Sequence, residues 1–507
     1  MPKYEGELKA IPDALFEVVS KYSNKIALVF ESETLSYREL WEKSAKLAFV
    51  LQKTGVKKGN KVAIKLTRNI ELYLILLAVI RVGAIIVPIN NVSPKQYVEE
   101  SIEVANVSFL ISNDSSLVYK GSYQPISVED LFFEAKFLNF VPIEFQSLLS
   151  SDPVMILMTS GSTGKPKSVV IRHCGLARLS IPIDQLSNTA DDRYLQLAEP
   201  SFAACANEIW MSLLTGATLV VYPSSIPDLI ELGSIIHSQQ VSILFLSGGL
   251  FRLLIEVSPD TLHMPNSVIV SGDFVSPRLF TTAAKAGLTK IFNGMGCTEN
   301  SAISSVHLVS PHDTFDDGLP VPIGTPLPLV DMIVLDEHQQ KCEPNMPGEL
   351  CIGGAGLAEG YLDPKLTSDR FIVVSVDGQL QRYYRTDDRA KCDEFGNFTL
   401  LGRGSHICKI RGFRVELTGI EHVLREHPQI EDVIVVIEET SNEPRLHACY
   451  LSKVDSVDNG DLRNFLSSRL PSYMVPERFT QYETLPMTKN GKRDRIQMAQ
   501  CLANENI

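Results

Sequence analysis

Apolar positions along the chain alternate between helical and strand spacing. Phe16–Tyr22 and Tyr37–Thr54 carry the repeat of amphipathic helices and Lys61–Leu66 reads as a strand, while an apolar helix over Glu71–Val82 feeds a strand over Ala84–Val87. This rhythm predicts mainly parallel sheets covered by helices, an α/β fold. Further short apolar runs, Val154–Met158, Thr218–Tyr222, Val241–Leu246 and Ser267–Val270, are bounded by Gly, Ser or Pro, as buried strands tend to be. Ligands of such sheets sit at the carboxyl ends of the strands. From Gly348 the texture changes to short strands with glycine-rich turns. After Arg403 a fresh pattern begins, with a helix over Gly419–His427 and a strand over Val433–Ile437. The expected organisation is a large unit over residues 1–403 and a smaller one over 404–507, long enough to fold as its own domain.

The composition narrows the function. With 47 basic against 60 acidic residues the net charge is -13, which disfavours sequence-independent binding to nucleic acid. The nine cysteines include no CxxC and no metal-ligand spacing, which argues against a disulfide scaffold or zinc site and fits a reducing, cytoplasmic setting. The N-terminus lacks the apolar core of a signal peptide. The longest apolar stretch, Leu72–Ile89, is broken by Arg81 and Gly83 and reads as helix plus strand, so no membrane span is expected.

The strongest local signal is Met158-Thr159-Ser160-Gly161-Ser162-Thr163-Gly164-Lys165-Pro166-Lys167, directly after the run Val154–Met158. Hydroxyls, glycine N–H groups and two lysines suit the oxygens of a polyphosphate. It is not a Walker A loop, because only two residues separate its first glycine from the Gly-Lys pair at the point where that motif has four.

With this loop and further motifs in fixed order, the chain resembles the adenylate-forming enzymes, and more narrowly the adenylation enzymes of nonribosomal peptide synthesis. The motifs are Leu35–Leu40, Val82-Gly83-Ala84, Asn293-Gly294-Met295-Gly296-Cys297-Thr298-Glu299, Gly348-Glu349-Leu350, Tyr384–Asp388, Gly402-Arg403, Lys409–Arg414 and Leu485–Lys492. The resemblance implies an N-terminal core with a distorted barrel beside the helix-covered sheets, and a small mobile α+β domain carrying a catalytic lysine. It implies activation of a carboxylic acid by ATP and Mg²⁺ to acyl-AMP, then transfer to a thiol. Thr159, Ser160, Gly161, Ser162, Thr163, Gly164, Lys165 and Lys167 would cradle the phosphates, with Thr163 and Glu299 toward the metal. Thr298 and Glu299 would hold the α-phosphate, Asp388 and Arg403 the ribose, and Asn293, Gly294 and Met295 the adenine side. Lys492 would neutralise charge between acid and α-phosphate.

In the same family an aspartate holds the substrate's α-ammonium group. The matching segment Ser201–Trp210 places Ala203 there, so an ordinary α-amino acid is expected to bind poorly. Phe202, Ala204, Asn207, Phe245, Ile269, Ser271, Gly294, Ala302 and Ile303 complete the matching pocket, which favours a small non-α-amino carboxylic acid or a modified amino acid bearing an amide, hydroxyl, keto or otherwise uncharged nitrogen group. His173 matches a position near that pocket and serves either as a structural histidine or in shaping it. The stretch Arg469–Phe479 points to the phosphopantetheine arm of an acyl or peptidyl carrier protein. With the sequence ending at Ile507, that carrier is expected in trans and the enzyme as a monomer. Lys489, Arg493 and Arg495 offer a basic face to an acidic carrier. Gly412 matches the loop that lines the thiol tunnel. Departures from the family pattern are Ser405 at the hinge, Asp387 for a glycine and Met295 for an aromatic. The competing readings are an acyl-CoA ligase, an amide-forming ligase and a nucleotide-binding module without turnover.

Overall fold

The computed structural model describes residues 7–113, 119–139, 147–160, 165–186, 188–272, 275–288, 290–310, 320–403, 407–410, 412–439, 444–487 and 493–505, with backbone alone at 403, 407–409, 439 and 503–505. The fold is α/β with a large N-terminal and a smaller C-terminal part. The alternation read from the sequence is present: Ile70–Val82 is helical and feeds the strand Ile85–Pro88. Asn69 caps the helix by accepting the Leu72 N–H at 3.0 Å, and Gly83, at φ 78°, ends it in the left-handed conformation that glycine tolerates. The helix is buried all round because it lies inside the main hydrophobic core. No helix among the described residues is long and apolar enough to cross a membrane.

Three sheets build the large part. A seven-stranded sheet contains the parallel strands Lys61–Lys65, Ile85–Pro88 and Phe109–Ser112, and carries the antiparallel pair Pro153–Thr159 and Lys167–Arg172 beside them. A nine-stranded sheet has a parallel centre of Thr218–Val221, Arg193–Gln196, Ile243–Ser247, Ser267–Ser271 and Ile291–Gly296, against which Ile303–Val309 returns antiparallel. The third, antiparallel sheet of Val330–Leu335, Gly348–Gly354, Gln379–Cys392, Phe371–Val376 and Phe398–Arg403 stands where the barrel is expected.

The C-terminal part has its own core, formed by the hairpin Ile407–Ile410 with Phe413–Glu416, the helix Leu417–Arg425 and the sheet Ile430–Glu439, Pro444–Ser452 and Arg478–Gln481. The helix starts two residues earlier than its apolar spacing predicts, because the chain leaves the hairpin strand at Glu416 and turns into the helix at once. Both large sheets aim the carboxyl ends of their strands at the strand Phe413–Glu416, and the candidate site lies there.

Candidate active site

The strand Pro153–Thr159 and its partner Lys167–Arg172 pair with Thr159 opposite Lys167, so the polyphosphate-type loop bridges their adjacent ends. Ser160 is buried, and its hydroxyl donates to the Arg414 carbonyl at 2.8 Å while accepting the Glu416 N–H at 3.1 Å. The Lys167 ammonium pairs with the Glu416 carboxylate. Gly161, Ser162, Thr163, Gly164, Ser405, Lys489 and Lys492 lie outside the described residues, as does the side chain of Arg403.

Glu299 sits in the short turn Thr298–Asn300 that follows the strand Ile291–Gly296, and it is 0% exposed. One oxygen, Oε1, accepts from the Tyr361 phenol at 2.5 Å and from Arg414 Nη1 at 2.7 Å. Burial works against the charge, but the Arg414 guanidinium and the Tyr361 hydroxyl outweigh it and hold the carboxyl below its ordinary range. The other oxygen, Oε2, is buried without a hydrogen-bond partner among the described residues. An ionised carboxylate with one oxygen unspent fits a hard divalent cation. Among the described residues no group of three His, Cys, Asp or Glu could enclose a metal.

Asp388 is buried on the strand Gln379–Cys392, where its N–H donates to Thr386 Oγ1 at 3.0 Å and its register partner is Arg403. The two expected ribose ligands are therefore cross-strand neighbours. The preceding Asp387 adopts φ 61°, the conformation for which a glycine is the usual choice, and its carboxylate is tied to Arg370. Asn293 donates its amide to the carbonyls of Val321 and Pro322, at 3.2 and 2.9 Å. Met295 is buried with Ile323, Met332 and Leu350 beneath the third sheet.

The residues expected to line the acid pocket meet between strand ends. A Cβ on Gly294 would lie 2.9 Å from Ile303 Cδ1, 3.1 Å from Ile269 Cγ2 and 3.5 Å from Ser271 Cβ, so these four expected residues do converge, and only glycine leaves the room. Asn207, buried on the helix Ala204–Thr215, accepts the Ile303 N–H at 3.0 Å through Oδ1. This bond fixes the amide and leaves Nδ2 without a partner among the described residues. Glu208, next along the helix, turns both oxygens to the N–H groups of Leu197 and Ala198 at 3.1–3.2 Å. Burial pushes it up to about 8, so it is no standing anion for an ammonium group. Phe202 opens onto the C-terminal part, 4.6 Å from the ring of Phe413, which in turn stacks on Tyr473 at 4.2 Å. His173 resolves as structural: its Nδ1 accepts the Ile11 N–H at 3.2 Å, and burial lowers it to about 4.

The whole chain can be set beside known proteins on this geometry. The AMP-binding enzyme family matches residues 15–362, and the AMP-binding enzyme C-terminal domain matches residues 419–492. The chain belongs to the AMP-binding enzyme family.

Among AMP-binding enzymes, bacitracin synthase 1 of Bacillus licheniformis is 32% identical over 494 residues, which are 96% of this chain and 9% of that protein. The chain thus spans a small part of the length of such relatives. An artificially fused adenylation-PCP di-domain, NpsA-ThdA from Klebsiella oxytoca, is 50% identical with a TM-score of 0.89, covering 94% of both chains. Klebsiella oxytoca NpsA in complex with 3-hydroxyanthranilyl-AMSN is 48% identical with a TM-score of 0.77, covering 98% of this chain and 100% of that one. The NpsA N-terminal subdomain has also been solved with 3-hydroxybenzoyl-AMSN and anthranilyl-AMSN. These likenesses place the chain among AMP-binding enzymes of the nonribosomal peptide synthetase adenylation type, the ATP-dependent acid-adenylating ligases.

Residues of this AMP-binding enzyme that touch the site with no role read from the sequence include Arg414, Glu416, Tyr361, Tyr384 and Phe413. Arg414 and Phe413 stand in the motif Lys409–Arg414, where only Gly412 had one. Tyr361 follows the glycine-rich turn that closes on Lys167–Arg172. Of the residues expected to offer a basic face to a carrier, Arg493 bonds Asp432 at 2.6 Å and Arg495 pairs with Glu421, both within the C-terminal part, and Lys489 lies outside the described residues.

Proposed function

We propose that this enzyme activates a small aryl carboxylic acid of the aminobenzoate or hydroxybenzoate class as its adenylate and delivers the acyl group to the phosphopantetheine thiol of a carrier protein. The observation that carries the acid class is a pocket with no committed anion. Ala203 stands at the ammonium-binding place, Glu208 is turned to the backbone, and Asn207 and Ser271 offer neutral polar groups between Ile269, Ile303 and Gly294. An α-ammonium buried there would cost several kcal/mol. An arylamine is uncharged at neutral pH and needs only a hydrogen bond, and a flat ring suits a crevice whose floor is glycine. The ligands in the complexes of NpsA, which is 48–49% identical to this chain, are of this kind.

In the first step the acid's carboxylate oxygen attacks the α-phosphorus and pyrophosphate leaves. Mg²⁺ would neutralise phosphate charge, with Glu299 and Thr163 as its protein ligands, and Lys492 would steady the charge between acid and α-phosphate. Asp388 and Arg403, paired across strands, would take the ribose. In the second step the carrier thiol attacks the acyl carbon and AMP leaves. The C-terminal part would serve that step from its place here, where Gly412 lies against Gly272 and a Cβ on Gly272 would come 3.5 Å from the Gly412 Cα. The TM-scores support this placement. The N-terminal subdomain of NpsA alone gives 0.75, the liganded whole chain 0.77 and the carrier-fused form 0.89. We assign Ser405 to the hinge, with the boundary between the moving parts near Gly404.

Acid-dependent pyrophosphate exchange tests the proposal. A panel of 2-aminobenzoate, 3-hydroxybenzoate and 3-hydroxyanthranilate against the common α-amino acids should give exchange with the aryl acids. A best substrate among unmodified α-amino acids overturns the acid class.

A further inference from the structure

Arg414 and Glu416 lie two residues apart on the strand Phe413–Glu416, so their side chains leave one face of it. That face carries a cation to Glu299 at 2.7 Å and an anion to Lys167, while the intervening backbone donates to and accepts from the Ser160 hydroxyl. Glu299, Lys167 and Ser160 are among the described groups that the proposed first step would direct at metal and phosphate. The strand thus presents a positive group where a cation would bind and a negative group where phosphate would bind. The carboxylates are buried and their cationic partners mostly so: the side chains of Glu299 and Glu416 are 0% and 4% exposed, those of Arg414 and Lys167 14% and 15%.

We propose that residues 414–416 are a built-in surrogate for metal pyrophosphate: Arg414 replaces the divalent cation at Glu299, Glu416 replaces a phosphate group at Lys167, and the strand backbone replaces a phosphate oxygen at Ser160. The physical need is clear. A buried carboxylate and a buried ammonium each require a counter-charge at every stage, since an unpaired one is far more costly than a paired one. When pyrophosphate and its cation depart, these groups would be stranded unless opposite charges arrive. The strand supplies both together, from a part of the chain 254 residues beyond Ser160. Docking of the C-terminal part and binding of metal pyrophosphate are therefore mutually exclusive by charge as well as by shape. The strand can enter only once the first product has gone, and pyrophosphate expels it. Tyr361 and Tyr384 serve both states, since their hydroxyls lie against Glu299 and Arg414, at 2.5 and 3.2 Å.

This inference rests on the adenylating reading, and its test does not depend on turnover. Small-angle X-ray scattering of the full chain is followed while Mg²⁺ with inorganic pyrophosphate is added. The wild-type profile should match the docked arrangement at the start and shift as the pair binds, with the midpoint falling about 10-fold or more in Arg414→Met and in Glu416→Gln, and less in Arg414→Lys. Loosening of the interface in general is separated by Tyr473→Ala, which removes the ring stacked on Phe413 and no charge. Mg²⁺ alone should raise the melting temperature of Arg414→Met more than that of wild type or Tyr473→Ala, because only Arg414→Met leaves Glu299 without a cation. The double variant Arg414→Met/Glu299→Gln should lose that increment. Equal increments in all four proteins, or a wild-type profile that stays docked at saturating metal pyrophosphate, overturn the surrogate. Failure of acid exchange with both of these results intact overturns the activity and leaves the surrogate standing.

Discussion

Asn207 and Glu299 are both buried side chains near strand ends of the nine-stranded sheet, yet their partners come from different places. Asn207, on the helix Ala204–Thr215, accepts through Oδ1 the N–H of Ile303 in that sheet. Glu299 is satisfied by Tyr361 from the large part and Arg414 from the small one. The Asn207 contact is therefore made inside one domain, whereas the Glu299 contacts are completed only by the small domain. A pocket completed within its own scaffold keeps one shape through both half-reactions, so the acid and its adenylate stay in place. A phosphate side that borrows its partners can exchange them, so under the proposed function the same groups would serve ATP first and the docking strand afterwards.

Substitutions on the two sides should separate cleanly. The largest effect belongs to Glu299→Gln, which preserves size but removes the charge that a cation needs; acid-dependent exchange should fall by about 100-fold or more. Exchange within a few-fold of wild type would mean the metal is held elsewhere. Next is Ala203→Asp. The restored carboxylate should shift the ratio of exchange with aryl acids to exchange with α-amino acids by about 10- to 100-fold toward the latter. An unchanged ratio would move the amine-binding end of the substrate away from residue 203. Third is Asn207→Leu, which strands the Ile303 N–H and should lower stability to urea by about 1–3 kcal/mol while leaving the docked scattering profile unaltered. Undocking in that variant would erase the distinction between the two sides.

The fold was largely legible because its signals are local. The apolar runs at Val154–Met158 and Ser267–Val270 became the strands Pro153–Thr159 and Ser267–Ser271, and the run Val241–Leu246 became Ile243–Ser247. The convergence of Gly294, Ile269, Ser271 and Ile303 was legible through family motifs, since no local periodicity brings those positions together. Arg414 and Glu416 were not legible as partners of the phosphate loop. Their spacing of two is what any strand offers, and whether their face meets Glu299 and Lys167 depends on how two domains sit together. Glu208 was open to misreading, because an acidic residue beside the expected pocket residues invites the role of ammonium anchor. Its orientation, set by the N–H groups of Leu197 and Ala198, decides otherwise.

The smallest expected effect is the most informative about the acid. Ser271 closes the strand Ser267–Ser271 beside Gly294, and its hydroxyl has no partner among the described residues. Its removal should leave stability nearly unchanged, unlike that of Asn207, because no buried partner is stranded. The lost bond would be to the substrate alone. A neutral hydrogen bond is worth about 1 kcal/mol net, so Ser271→Ala should lower the preference for a hydroxyl- or amino-substituted benzoate over benzoate itself by about 5-fold. That preference is read as the ratio of kcat/KM values in exchange. If the ratio holds while Asn207→Gln collapses it, the ring substituent points to the carboxamide, whose Oδ1 is already committed and whose Nδ2 can only donate. The substituent would then have to accept, which favours a hydroxyl or keto oxygen over an amine.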